Sequence, residues 1–170
     1  LVDVSVEASD LRSDRSNIGI NGIVEGLAIT GGNYYCEACD QNIDFESTGG
    51  RWLRGVSVTG VTIRSGPRAQ GDYAVALSSI DGGTFTGNVL LDRGLQVYRT
   101  RGVVVAGNSI DALMTTNDGA IDVANQCDGA VIGVNSVRRR GVPGPLVKLA
   151  PNGKQPKPSG FASVGVFDPV

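Results

Sequence analysis

One nine-residue unit returns four times along this chain without a gap, and it limits the possible folds more than any other feature. The copies are Gly55-Val-Ser-Val-Thr-Gly-Val-Thr-Ile63, Gly82-Gly-Thr-Phe-Thr-Gly-Asn-Val-Leu90, Gly102-Val-Val-Val-Ala-Gly-Asn-Ser-Ile110 and Gly129-Ala-Val-Ile-Gly-Val-Asn-Ser-Val137. They start 27, 20 and 27 residues apart. Weaker copies are read at Asn21-Gly-Ile-Val-Glu-Gly-Leu-Ala-Ile29 and at Gly160-Phe-Ala-Ser-Val-Gly165. A constant unit at variable spacing describes repeats of fixed cross-section joined by loops of variable length.

A second short apolar alternation precedes each unit, at Asn17–Ile20, Asn42–Phe45, Tyr73–Leu77, Gly94–Val97, Ala120–Val123 and Pro145–Leu149. Every repeat therefore carries at least two strands separated by a polar turn, and stacked repeats of this kind pair each strand with its own copy in a parallel solenoid. Composition agrees. The chain holds 22 valines and 10 isoleucines against 11 leucines, with 25 glycines in 170 residues, a balance that favours strands and turns over helices. A net charge of −2 supplies no global basic field for nucleic acid. With 41% hydrophobic residues general disorder is excluded, and no apolar run approaches the length of a membrane-spanning helix.

The chain has no histidine. The Ser-His-Asp and Cys-His engines and all histidine metal sites are thereby removed, leaving carboxylates, Lys, Arg or Tyr for any catalysis. The three cysteines, Cys36, Cys39 and Cys127, do not make a metal quartet. Cys36 and Cys39 read as a local disulfide or two free thiols, and Cys127 as a small buried residue. No cofactor or metal is implied.

The register of Asn88, Asn108 and Asn135 within the G-x-x-x-x-G-N-x-[IVL] unit resembles the asparagine ladder of right-handed parallel β-helices of the pectin-lyase-like superfamily. That group includes polysaccharide lyases, glycoside hydrolases, uronate epimerases, fructotransferases and phage tailspikes. The resemblance covers roughly residues 17 to 166 and implies an all-β fold, a single-stranded right-handed parallel β-helix of about six to seven rungs. Val61 and Leu27 occupy the asparagine slot in the earlier repeats, so the ladder is expected in only part of the stack. The chain begins without Met or a signal peptide, at Leu1-Val-Asp-Val-Ser-Val6. Residues 1–170 are accordingly expected to be one β-helix domain within a longer stack, its N-terminal rungs or cap missing. An open edge at Leu1–Val6 then calls for a preceding segment or a second copy to cover it.

On alternating strands the residue between two apolar ones faces outward. This gives an outward column of Gly19, Asp44, Ala76, Gln96, Asp122 and Lys148, and a second of Asn21, Glu46, Ser78, Tyr98, Ala124 and Ala150. Asp122 and Lys148 fall side by side, with Gln96 and Tyr98 one repeat below. Asp44 and Glu46 lie about three repeats from Asp122, roughly 14 Å at ~4.8 Å per step, beyond the ~5–9.5 Å of a glycosidase carboxylate pair. Asp122, Lys148, Asp118 and Tyr98 are the catalytic candidates. Gln96, Asp44, Glu46, Tyr34 and Tyr35 are the substrate-binding candidates, the two tyrosines as sugar platforms on a long insertion, Gly31–Asp40. Asn117, Asp118 and Asp122 gather around one turn. Arg138-Arg-Arg140 reads as a solvated turn or a basic patch, and Pro143–Pro158 as a loop within the domain.

The resemblance implies a carbohydrate-active protein, secreted or on a cell surface or virion, that holds a polysaccharide or oligosaccharide in a groove on one outer sheet. Without histidine, its chemistry would be hydrolysis or transfer by carboxylates, or β-elimination by Lys, Arg or Tyr. The alternative is a structural or adhesive solenoid without catalysis, such as a tailspike-like shaft or a glycan-binding module. No nucleic-acid or membrane partner is expected; a homo-oligomer, or association with a missing N-terminal part, is.

Overall fold

The computed structural model describes residues 2–7, 10–13, 16–47, 50–124, 126–149, 162–163 and 166–167. These residues form strands and turns and contain no helix. In chain order, β1 (Val2–Glu7) and β2 (Asp10–Ser13) precede the triplet β3 (Ile18–Asn21), β4 (Glu25–Thr30) and β5 (Asn33–Cys36). The next triplet is β6 (Ile43–Glu46), β7 (Leu53–Thr59) and β8 (Thr62–Ser65). Two repeats then fuse their first two strands, as β9 (Tyr73–Thr86) with β10 (Val89–Asp92) and β11 (Gly94–Ala106) with β12 (Ser109–Met114). Beyond them lie β13 (Ile121–Val123), β14 (Val131–Ile132) and β15 (Asn135–Gly141), then β16 (Val147–Leu149), β17 (Ala162–Ser163) and β18 (Val166–Phe167).

Among the described residues every strand pairing is parallel, and each strand pairs with its counterpart one repeat away. The first and second strands of the repeats make an eleven-stranded sheet, whose main path runs β1-β4-β7-β9-β11-β13-β16. The third strands make a seven-stranded sheet in the order β18-β15-β12-β10-β8-β5-β2. Register stacks like on like. Ile18, Ile43, Val75, Leu95 and Ile121 form one column. Ile29, Val58, Phe85, Val105 and Ile132 form another, and Tyr34, Ile63, Leu90, Ile110 and Val137 a third on the other sheet. These side chains belong to one continuous buried cluster, and full burial of each is worth roughly 1.5–3 kcal/mol.

The repeat unit bends at its glycines. Gly55, Gly82, Gly102 and Gly129 open it at φ of 61°, 70°, 57° and 62°, and Gly60, Gly87 and Gly107 close its second strand at 68°, 65° and 67°. That left-handed backbone costs a residue with a Cβ about 1–2 kcal/mol. Beside the closing glycine stand the asparagines. Asn108 Oδ1 accepts from the Asn88 amide N–H and Nδ2, while Asn108 Nδ2 donates to Phe85 O and to Asn135 Oδ1. Asn88 and Asn135 repeat the pattern, and the bottom of the run is Val61, whose N–H donates to Asn88 Oδ1 at 3.0 Å. A shorter pair closes another corner: Asn17 Nδ2 donates to Asn42 Oδ1, and Asn42 Nδ2 to Tyr34 O and Arg64 O.

Three sequence readings need correction. The weak early copy is displaced by five residues, because Glu25 pairs with Arg54. Gly26 and Gly31, both left-handed, therefore match Gly55 and Gly60; Gly32, not Leu27, stands in the asparagine slot, and Leu27 packs in the core. Gly31–Asp40 is not an insertion, since Asn33–Cys36 is the third strand of its repeat. Arg138–Arg140 lies within β15 and is not a turn. Residues 150–161, which include most of the loop to Pro158, lie outside the described residues.

Asn108→Ala is expected to lose roughly 1–3 kcal/mol of stability in a urea titration, because it strands buried donors and acceptors. Exposed Asn21→Ala is expected to change it by under about 0.5 kcal/mol. Gly102→Ala, in open space but at φ 57°, is expected to cost about 1–2 kcal/mol, whereas Gly19→Ala, also open and outside the left-handed region, should not.

Candidate functional site

The column on the outer face of the first strands has the pairing Gly19–Asp44–Ala76–Gln96–Asp122–Lys148. At its upper end a group of acids forms around the turn between β12 and β13. Asp72 anchors that turn. Its carboxylate, 4% exposed, accepts from the Thr115 N–H and hydroxyl, both at 2.7 Å, and from the Thr116 N–H and hydroxyl at 3.0 and 2.5 Å. From the other side Arg139 Nη2 donates to Thr116 O and Asp118 O at 2.7 and 3.2 Å. Held at both flanks, the turn presents Asp118 to Lys148, whose ammonium donates to Asp118 Oδ1.

The acids differ in electrostatics. Burial alone would raise the Asp72 carboxyl, but the hydrogen bonds from Thr116 and Thr115 outweigh it and hold it below the usual carboxylate range. The Lys148 hydrogen bond, then that of Thr116, lowers Asp118. Asp122 goes the other way: burial raises it, the Asp118 charge adds to this, and a Gln96 hydrogen bond offsets only part. Asp122 is 6% exposed. Its Oδ1 and the Tyr73 hydroxyl are buried without a well-formed hydrogen bond, although each group affects the other's titration. Burial, followed by the Asp122 and Asp118 charges, raises the Tyr73 phenol far above its ordinary range. Lys148 is also raised, first by its hydrogen bond to Asp118, so it stays protonated at neutral pH. Thr116 Oγ1 lies 2.5 Å from Asp72 and 3.0 Å from Asp118, and its single proton serves one carboxylate at a time.

Of the residues singled out from the sequence, Asp118, Asp122, Lys148 and Gln96 come together. Lys148 pairs with Asp118 and not with Asp122, the neighbour that register had put beside it. Tyr98 is on the same strand as Gln96, 38% exposed. Asp44 and Glu46 lie three strands away, where Asp44 lines a cleft of about 330 Å³ with Gln41, Asp40 and Gln70; burial, then the Glu46 charge, raises Asp44. Tyr34 cannot serve as a sugar platform. It fills the core-facing slot of β5 and is 1% exposed, because the alternation that turns Tyr35 outward turns Tyr34 in. Tyr35 belongs to the seven-stranded sheet, donates to Glu37 and lines a separate cleft with Arg64 and Asp92.

Arg138 and Arg140 are tied to acids on that sheet: Arg140 Nε lies 2.6 Å from Asp111, Arg140 Nη2 3.4 Å from Asp92, and Arg138 3.9 Å from Asp111. Cys36 and Cys39 form a disulfide, and Cys127 is buried. Among the described residues no three acid or cysteine side chains converge to hold a metal ion. Sequence reasoning missed Asp72, Tyr73, Thr115, Thr116 and Arg139. The first two lie next to a register shift, where Gly94 pairs with Tyr73 but Leu95 with Val75, and a bulge of this kind re-aims side chains.

The signs of the shifts set two pH dependences. Asp122 binds its proton more tightly folded than unfolded, so folding stability falls as pH climbs from the ordinary carboxylate range through its raised value. Asp122→Asn is expected to remove that fall, melting above wild type at neutral pH and equal to it in acid. Asp72 has the opposite sign: its contribution is present at neutral pH and is lost as pH drops through its depressed value. Asp72→Ala is expected to cost roughly 1–3 kcal/mol at pH 7 and less in acid, measured by thermal melts across pH.

Comparison with known proteins finds no matching family model, no matching curated protein and no matching solved structure.

Proposed function

We propose that the chain coils as a right-handed parallel β-helix of the pectin-lyase-like kind and cleaves a polysaccharide by carboxylate acid–base chemistry at Asp118 and Asp122. The observation that carries this reading is the opposite displacement of two acids four residues apart. Burial raises Asp122 above the ordinary carboxylate range, favouring its protonated form, and the Lys148 hydrogen bond lowers Asp118, favouring its ionised form. Titratable groups pushed apart by their surroundings are the mark of an acid and base pair. Asp122 would give its proton to the glycosidic oxygen, while the Asp118 carboxylate activates water or steadies the positive charge growing at the anomeric carbon. Substrate has to displace the groups that cover Asp122. Elimination is the weaker reading, since Lys148 and Tyr73 are both raised and neither offers a free base near neutrality.

A panel of polysaccharides incubated with the protein and assayed for new reducing ends tests the proposal. Asp118→Asn and Asp122→Asn are each expected to lower turnover by about hundredfold or more while keeping the fold. The rate should be bell-shaped in pH, its acid limb set by Asp118 and its alkaline limb by Asp122. Unsaturated, ultraviolet-absorbing products would replace hydrolysis by elimination. Binding without products would support the glycan-binding alternative.

A further inference from the structure

A second cluster lies where the first strand of each repeat turns into the second. Trp52, just ahead of β7, carries two arginines over its ring: Arg101 Cζ is 4.5 Å from the ring centroid and Arg99 Cζ 5.3 Å. Both come from β11, two strands along the sheet from β7, with β9 between them. Arg99 is accommodated above Gly50, where a Cβ would sit 3.9 Å from its Nη2. In register, Arg101 lies between Asp81 on β9 and Asp128 in the next repeat. Its guanidinium nevertheless forms no ion pair with a described residue, and neither does that of Arg99. An exposed arginine with a carboxylate on either side ordinarily turns toward one of them; here it lies on the indole. A guanidinium placed over an indole has its charge partly met by the ring while its N–H groups, bound to no carboxylate, can still bind a planar or tetrahedral oxyanion, in pairs where two point the same way.

We propose that Trp52, Arg99 and Arg101 form a subsite for an anionic sugar, one bearing a carboxylate or a sulfate. The anion would bind the guanidinium edges and the sugar face would rest against the aromatic and aliphatic surface beside them. Arg99 follows Gln96 by three residues in β11, at most about 10 Å at ~3.3 Å per residue, which puts this corner and the acid pair within the span of one polymer. Treating the cluster as a subsite rests on the polysaccharide reading above, and it narrows the substrate to an acidic polymer.

Trp52 is the chain's only tryptophan, so its fluorescence reports on this corner alone. The intact protein is titrated with polygalacturonate, with dextran sulfate and with neutral dextran at fixed ionic strength. A saturable change with one or both acidic polymers and none with dextran is expected, and the stronger of the two identifies the anion. The double variant Arg99→Gln/Arg101→Gln should bind at least about tenfold more weakly, with a flatter dependence on salt. Arg101→Gln alone, at an exposed position, should show a smaller loss in a chain with unchanged melting. An emission that ignores both acidic polymers, an equal response to dextran, or arginine variants that titrate like wild type overturns the subsite. Asp122→Asn separates the two proposals, because it should leave the Trp52 titration unchanged. Acidic-polymer binding there without cleavage by wild type supports the subsite and removes the catalytic reading. Cleavage of a neutral polymer with a silent Trp52 does the reverse.

Discussion

In-register parallel stacking of one repeat on the next is the interaction on which everything else here depends, and the asparagine ladder is where it is held most tightly. A parallel sheet leaves backbone groups unpaired wherever the chain turns out of it, and turns buried between repeats have no water to satisfy them. Asn108 meets the requirement with a single side chain that accepts from the repeat below and donates to both the repeat below and the repeat above. The glycines beside it supply a bend that other residues adopt only at a cost. Because the same corner recurs, an apolar residue on one repeat meets an apolar residue on the next, and the core becomes a set of columns.

This regularity leaves the outer surface as the place for variation, and the molecule uses it unevenly. The third-strand sheet ties its charges into pairs, with Arg140 held by Asp111 and Asp92 and Arg64 by Asp92, each exposed pair worth at most ~1 kcal/mol. The turn at 115–118 is different. Asp72 is nearly buried and spends its four hydrogen bonds on two consecutive threonines more than forty residues away in sequence. Such bonds are costly to leave unmade, so they fix the position of Asp118 relative to Asp122. Two acids with opposite displacements and a stacked tryptophan on the same strand system make this face, rather than the salt-bridged one, the chemically distinctive side.

Part of that face could be read from the repeat alone. The pairing of Gln96 with Asp122, and of Asp122 with Lys148, follows from the offset of 26 residues between copies, because parallel strands in register bring equal positions together. The offset says nothing about where a long side chain ends. Lys148 reaches past its strand partner to Asp118, which a short turn lifts into range. Tyr34 and Tyr35 show the same limit from another direction, since two adjacent aromatics on a strand must face opposite ways, and their assignment to a loop hid which of them was the core residue.

What the sequence determined by itself is the parallel all-β character and, from Gly55 to Val137, the repeat unit with its turning glycines and apolar columns; the earlier repeat was legible only after its register was corrected. These follow from local spacing of glycine, asparagine and alternating apolar residues, and local spacing is fully written in the chain. Only the tertiary structure decided which polar side chains share a site. Asp72 finds Thr115 and Thr116 more than forty residues on, Tyr73 lies at a register shift near Asp122, and Arg99 and Arg101 reach across an intervening strand to Trp52, Arg101 doing so although Asp81 and Asp128 are its register neighbours. Each depends on competition between partners at comparable distance, settled by burial and geometry, which no periodicity in the sequence encodes.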